Sequence, residues 1–223
     1  SCCNTSPSVK DISKSIGYTE EEINSFSEAN LGLGCGNPVA LSSIKEGDVV
    51  LDLGSGAGFD AFLVAKRVGN TGKVIGLDIT DEMIQKAKEN ALRYGYKNVE
   101  FKLGDIENMP IEENSIDVII SNCVINLSPD KGRVFSEAHR VLKNGGKMFL
   151  SDIVLLEELT EEQRSDEDLI AGCVGGALLR DDYLTIIQNA GFRVRILGED
   201  KEISKRQYNG IKLESIKVEA TKI

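Results

Sequence analysis

Apolar residues recur along this chain with two different periods. Short, nearly continuous apolar runs fall at 48–53, 73–78, 98–103, 116–121 and 147–153. Between them, at 60–68, 83–92 and 131–142, apolar residues return every three or four positions. The first pattern predicts buried strands and the second amphipathic helices. Punctuation agrees: Asp81 caps the helix over 83–92, and Asn144-Gly145-Gly146 stops the one over 131–142. Strands this apolar, alternating with helices, predict a parallel sheet covered on both faces.

The flanks depart from that rhythm. Val9 to Gly17 reads as a short amphipathic helix ended by glycine, and Thr19-Glu20-Glu21-Glu22 is a capping box opening a second, acidic one. Leu31-Gly32-Leu33-Gly34-Cys35-Gly36-Asn37-Pro38 is too rich in glycine for helix or strand and predicts a loop, with Cys35 its only reactive side chain. Beyond the fifth strand an acidic helical stretch near 160–171 runs into Gly172-Cys173-Val174-Gly175-Gly176-Ala177. A helix over 181–190 follows, then two strands near 192–198 and 213–222 that form an antiparallel edge. The whole is an α/β fold with a doubly wound, mostly parallel seven-stranded sheet, an antiparallel edge strand and a helical lead-in. Residues 1–45 form the lead-in, 46–155 the core, and 156–223 the part that completes the sheet.

Composition narrows the partners. A chain of 223 residues with net charge -10 lacks the basic surface that nucleic-acid binding needs. No apolar run is long enough to predict a membrane span. The five cysteines, Cys2, Cys3, Cys35, Cys123 and Cys173, are odd in number and unpaired in spacing. That suits neither a disulfide scaffold nor a structural zinc site, and predicts a reducing, cytoplasmic setting.

The chemistry begins at Val49-Val50-Leu51-Asp52-Leu53-Gly54-Ser55-Gly56-Ala57-Gly58. A strand runs into glycines at alternate positions and then into a helix, so backbone is free to approach a ligand closely. The pattern D-x-G-x-G-x-G differs from the dinucleotide fingerprint G-x-G-x-x-G. Asp52 would repel a pyrophosphate and attract a cationic cofactor with an amino acid end, such as S-adenosylmethionine. Asp78, at the end of the second strand, is placed to accept ribose hydroxyls. Asp105-Ile106 ends the third strand, near where the adenine would lie. With the helix ending Leu142-Lys143-Asn144-Gly145-Gly146, these segments resemble class I, Rossmann-like methyltransferases. The resemblance implies cofactor contacts at Asp52, Gly54, Ser55, Gly56, Asp78, Ile79, Asp105, Ile106 and Asn122.

Three cysteine segments are more specific. Leu31 to Pro38, Ser121-Asn122-Cys123-Val124-Ile125-Asn126-Leu127 and Gly172 to Ala177 resemble the arsenite methyltransferases, over residues 31–180 and more weakly through the lead-in. That family implies trivalent arsenic bound at Cys123 and Cys173. It also implies a binding and redox role for Cys35 with an N-terminal cysteine, either Cys2 or Cys3. Arsenite or methylarsenite would be the substrate. Thiophilic arsenic prefers thiolates to oxygen ligands. Held by three of them, it would keep its lone pair free on the fourth side and need alignment with the sulfonium rather than a general base. Transfer oxidises arsenic, so thioredoxin or glutathione would return electrons.

Two readings compete. One is a quinone-biosynthesis type of methyltransferase that shares the core and ignores the thiols; the other is a non-catalytic As(III)-binding protein, for which an intact cofactor loop has no use. His139, mid-helix, reads as structural or solvated, and Asp130, Lys131 and Arg133 as a helix start. The acidic run from Glu157 to Asp168 reads as a solvated face. Tyr18, Tyr183 and Tyr208 could each touch ligand or core.

Overall fold

In the computed structural model, which describes residues 8–171 and 173–223, seven strands share one sheet. They are β1 (Val49–Leu53), β2 (Lys73–Asp78), β3 (Val99–Leu103), β4 (Ile116–Asn122), β5 (Leu142–Leu155), β6 (Phe192–Asp200) and β7 (Leu213–Lys222). Their order is β3-β2-β1-β4-β5-β7-β6. The first five pair in parallel. Strand β7 runs against both β5 and β6, so the antiparallel edge expected for the tail is the β7–β6 pair. Strand order reverses between β1 and β4, and open α/β sheets bind ligands in the crevice at such a point.

Helices cover both faces. On one side α6 (Lys131–Val141) and α9 (Arg180–Asn189) bury Phe135, Val141, Tyr183 and Ile187 with Leu51 and Leu53 of β1. On the other, α4 (Phe59–Val68) and α5 (Asp81–Tyr94) pack Phe62 and Ile84 with Val50. Successive strand residues point to opposite faces, which is why both faces of these strands had to be apolar. The lead-in helices α1 (Val9–Ser15) and α2 (Glu20–Ser25) join the second layer. Phe26 sets its ring 5.6 Å from Phe62 and 5.2 Å from Tyr94, anchoring the lead-in over the open end of the sheet.

Three local expectations need correction. The helix expected over 131–142 stops at Val141, and Leu142 already begins β5. Leu142 is fully buried, so the chain must swing into the sheet there. The Asn144-Gly145-Gly146 turn is spent on an irregularity in the strand, with Gly145 at φ 73°. Asp81 lies inside α5 rather than capping it: the cap position is Thr80, whose N–H donates to Asp78 Oδ1 at 2.9 Å. The 160–171 stretch is two short helices, α7 (Glu161–Ser165) and α8 (Glu167–Ala171), broken at Asp166. Two further short helices, α3 (Pro38–Leu41) and α10 (Ile203–Gln207), carried too little periodicity to be foreseen. Among the described residues no helix is long and apolar enough to cross a membrane.

Candidate active site

A cavity of about 980 Å³ opens at the carboxyl ends of β1, β2 and β4, roofed by the lead-in and by the segment after α10. All nine residues expected to hold a cofactor line it: Asp52, Gly54, Ser55, Gly56, Asp78, Ile79, Asp105, Ile106 and Asn122. The glycine loop earns its composition. Gly54 sits at φ 67°, and a Cβ there would run into the Val124 side chain. At Gly56 (φ 51°) nothing lies within 4 Å of that position, so the loop faces open space. Asp78 Oδ2 accepts the Gly56 N–H at 2.9 Å, tying the end of β2 to the loop.

Electrostatics around the loop call for a cation. Burial, with Asp60 and Asp78 nearby, pushes the Asp52 carboxyl well above its usual range. Burial raises Asp60 to about 6, although hydrogen bonds from Tyr18 and Asn122 pull it down. Among the described residues, the main groups acting on these two carboxyls include no cationic side chain. Asp52 Oδ2 and Ser55 Oγ are buried without a hydrogen-bond partner. A buried carboxyl left in this state costs free energy unless a ligand supplies charge or donors. These residues fit a sulfonium cofactor with an ammonium group.

Tyr18 and Asp60, one weighed only as ligand or core and the other not singled out, complete a network. Tyr18 Oη donates to Asp60 Oδ1 at 2.7 Å. Asn122 Nδ2 reaches the Tyr18 hydroxyl (3.0 Å), the Gly36 carbonyl (2.9 Å) and Asp60 Oδ2 (3.3 Å). Its Oδ1 accepts the Cys35 N–H at 3.2 Å. Asn122 thus joins the cofactor side of the cavity to the cysteine loop.

The cysteines converge from three segments. Cys123 directly follows β4 in a left-handed conformation (φ 60°), and Cys173 follows α8 at φ 64°. Such values are uncommon for a residue with a Cβ and turn each thiol off the course of its element. Cys123 and Cys173 line the cavity; Cys35 is buried just behind them. The Cys173 thiol donates to the Cys123 carbonyl at 2.6 Å and the Cys35 thiol to the Ser151 carbonyl at 3.2 Å. A Cβ on Gly36 would fall 2.5 Å from Ser151 Oγ, so glycine is what lets the Cys35 loop lie on β5. All three thiols are free. Burial raises Cys35. Cys123 gains from its contact with Cys173, yet its hydrogen bond with Cys35 and burial leave it well above the usual thiol range. Its contact with Cys123, then burial, raises Cys173. Cys2 and Cys3 lie outside the described residues.

Beneath the thiols lies a residue that sequence reasoning missed. Asp152, fully buried in β5, accepts from the Tyr183 hydroxyl at 2.6 Å through Oδ2, while Oδ1 has no partner. One of its oxygens and the Cys35 and Cys123 sulfurs all lie within 4.8 Å of one another. Burial lifts Asp152 to about 7, against the Tyr183 hydrogen bond and the nearby Lys131 ammonium. The available signal was a lone acid inside the apolar run Phe149-Leu150-Ser151-Asp152-Ile153-Val154. Of the tyrosines, Tyr18 and Tyr208 line the cavity and Tyr183 is core. Asp130 caps α6 as expected, accepting the Arg133 N–H at 2.9 Å. His139 stands edge-on to Phe192 with ring centres 5.4 Å apart, away from the cavity.

Comparison with known proteins matches this geometry to a family. A model described as a methyltransferase domain matches residues 44–191. The chain is 45% identical over 202 residues to the arsenite methyltransferase of Halobacterium salinarum, covering 90% of this chain and 51% of that protein. It is 37% identical over 201 residues to the arsenite methyltransferase of Homo sapiens, covering 86% and 52%. The chain thus spans about half the length of these curated relatives. Among solved structures, an arsenic (III) S-adenosylmethionine methyltransferase from Chlamydomonas reinhardtii aligns with TM-score 0.74 at 34% identity, over 98% of this chain and 75% of that one. The chain therefore belongs to the methyltransferase-domain family and, within it, to the arsenite methyltransferase group.

Proposed function

We propose that this chain methylates trivalent arsenic, with S-adenosylmethionine as donor and Cys35, Cys123 and Cys173 as the thiols that hold the substrate. The observation that carries the reading is that Cys123 and Cys173 line the same cavity as the Asp52–Gly56 loop, with Cys35 directly behind. When bound, the cofactor supplies an electrophilic methyl on a sulfonium. Asp52 and Asp60 would offer negative charge to its cationic groups, Asp78 would accept from its ribose hydroxyls, and Asp105 with Ile106 would hold its adenine. Gly54 and Gly56 leave it room.

Thiols that keep their protons until substrate arrives suit arsenite. Three S–H groups and three As–OH groups give three As–S bonds and three waters, so no base is needed and no net charge enters the buried site. Thiolates select this soft centre over hard cations. Methyl transfer then raises arsenic by two oxidation steps. A further cysteine thiolate attacks the sulfur of an arsenic-bound one, so that the As–S bond breaks with both electrons left on arsenic and a disulfide forms, which thioredoxin or glutathione reduces. Cys2 or Cys3 is the natural partner for Cys35 in that step, and a reducing compartment such as the cytoplasm keeps the cycle running.

The reading is tested by incubating the reduced chain with cofactor, arsenite and a thiol reductant, then resolving arsenic species by chromatography. Methylated arsenicals are expected. Full activity on a quinone precursor that persists in Cys123→Ser would replace this reading with the quinone-type one. Stoichiometric arsenic binding with no affinity for the cofactor would replace it with the binding-protein one.

A further inference from the structure

The three thiols are not equivalent in their surroundings, and the difference points to a second ligand. The donor atoms of Cys35, Cys123 and Asp152 lie within 4.8 Å of one another; Cys173 is outside this set, its thiol turned to the Cys123 carbonyl. Asp152 is fully buried and its Oδ1 has no hydrogen-bond partner. Two sulfurs and one carboxylate oxygen are the donor types of a borderline-soft divalent cation. We propose that Cys35, Cys123 and Asp152 form a site for a zinc-like divalent cation, one that shares two thiols with the arsenic site and leaves Cys173 out.

Charge decides between ions. Two thiolates and one carboxylate carry three negative charges. Lys131, buried and donating to the Ser128 carbonyl at 2.9 Å, sets one positive charge beside Asp152. A divalent ion brings the cluster to zero, the condition a buried site favours. A monovalent soft ion leaves it one charge short. Calcium and magnesium are excluded by their need for oxygen ligands. Binding releases the two thiol protons, and the Asp152 proton wherever that carboxyl holds one, to solvent. The ion would enter from the cavity that Cys123 lines, and a water from that side would fill the fourth position of a tetrahedral site. With bonds of about 2.0–2.3 Å, tetrahedral donors stand roughly 3.5 Å apart, so small side-chain rotations bring this set to the ion.

Arsenic, which needs Cys173, and the divalent ion, which does not, then exclude each other through Cys35 and Cys123. This exclusion rests on the arsenic reading; the cation site does not.

Cobalt(II) is the probe, titrated without oxygen into the reduced full chain. Thiolate-to-cobalt charge-transfer bands in the near ultraviolet and intense visible bands of a four-coordinate ion are expected, saturating at one cobalt per chain. Cys173→Ser should keep them, Cys123→Ser should lose them, and the isosteric Asp152→Asn should weaken cobalt roughly tenfold or more. Arsenite should bleach the bands in the unmodified chain but not in Cys173→Ser. The proposal is overturned if no charge transfer appears, if Cys173→Ser loses it, or if Asp152→Asn binds cobalt as tightly as the parent. It is equally overturned if the bands vanish in Cys2→Ser/Cys3→Ser. Bands that behave as expected in a chain that never methylates arsenic would sink the arsenic reading and leave the cation site standing.

Discussion

The two sides of the cavity are built on opposite plans. The cofactor side is local: Asp52 to Gly58 is one strand, one turn and the start of α4, and Asp78 ends the neighbouring strand. The thiol side is assembled from three segments separated by 88 and 50 positions and held by contacts to backbone carbonyls rather than by any shared element. The first side therefore depends on composition at consecutive positions. The second depends on how well distant segments are docked.

The largest break in this comparison is expected from Cys123→Ser and Cys173→Ser. Each should remove arsenic methylation to background, resolved by chromatography, while isothermal titration finds cofactor affinity within about twofold, since distant, unshared sites add independently. Loss of cofactor binding in either variant would show that the two sides are one unit.

The reciprocal test is Asp52→Asn. Removing the buried carboxyl, which a bound cation would hold ionised, should cost roughly tenfold or more in cofactor affinity, about 1.4 kcal/mol per factor of ten. Arsenite binding, followed by retained radiolabel on gel filtration, should stay unchanged.

Asn122→Ala attacks the join. Its amide contacts Tyr18, Asp60 and the Cys35 loop, so both ligands should weaken several-fold, with roughly 1–3 kcal/mol lost from stability in urea unfolding. An effect confined to one ligand would remove Asn122 as the bridge.

The smallest effect is expected from pH. Asp60 takes up a proton as pH falls through about 6, reducing the negative field that a cationic cofactor meets. Affinity for S-adenosylmethionine should decline across that range, and more steeply than for S-adenosylhomocysteine, whose sulfur is neutral. The sign for stability is opposite. Because the folded pKa lies above the ordinary value of 3.8, the ligand-free fold gains from protonation, and Asp60's contribution is lost as pH rises from about 4 to about 6. A melting temperature measured across that window reports it.

This contrast also explains what could be read from the chain before its fold was known. Asp52, the alternating glycines and Asp78 announce a cofactor because backbone geometry alone dictates those residue types. Cys123 at a strand end and Cys173 in a glycine turn could be suspected from their surroundings and given a ligand only by resemblance, since a left-handed φ at a cysteine leaves no trace in hydrophobic periodicity. Asp152 was harder still. Its meaning comes from Tyr183 on α9, Lys131 on α6 and Cys35 in the lead-in, which no local pattern connects. The stop of α6 failed for a related reason: burial of Leu142 in the core outweighed the glycines three residues on.

Strand order has one more implication. The glycine loop leaves the end of β1 and Cys123 leaves the end of β4, and these strands are immediate neighbours. Hydrogen-bonded strands stand about 4.8 Å apart, a spacing set by peptide geometry. On the proposed function, the sheet would work as a ruler between donor and acceptor. Exchanging side chains at the end of β4 can change which atom receives the methyl group, but not how far it must travel. A lineage that trades arsenic for a carbon, nitrogen or oxygen acceptor inherits the reach already cut to length.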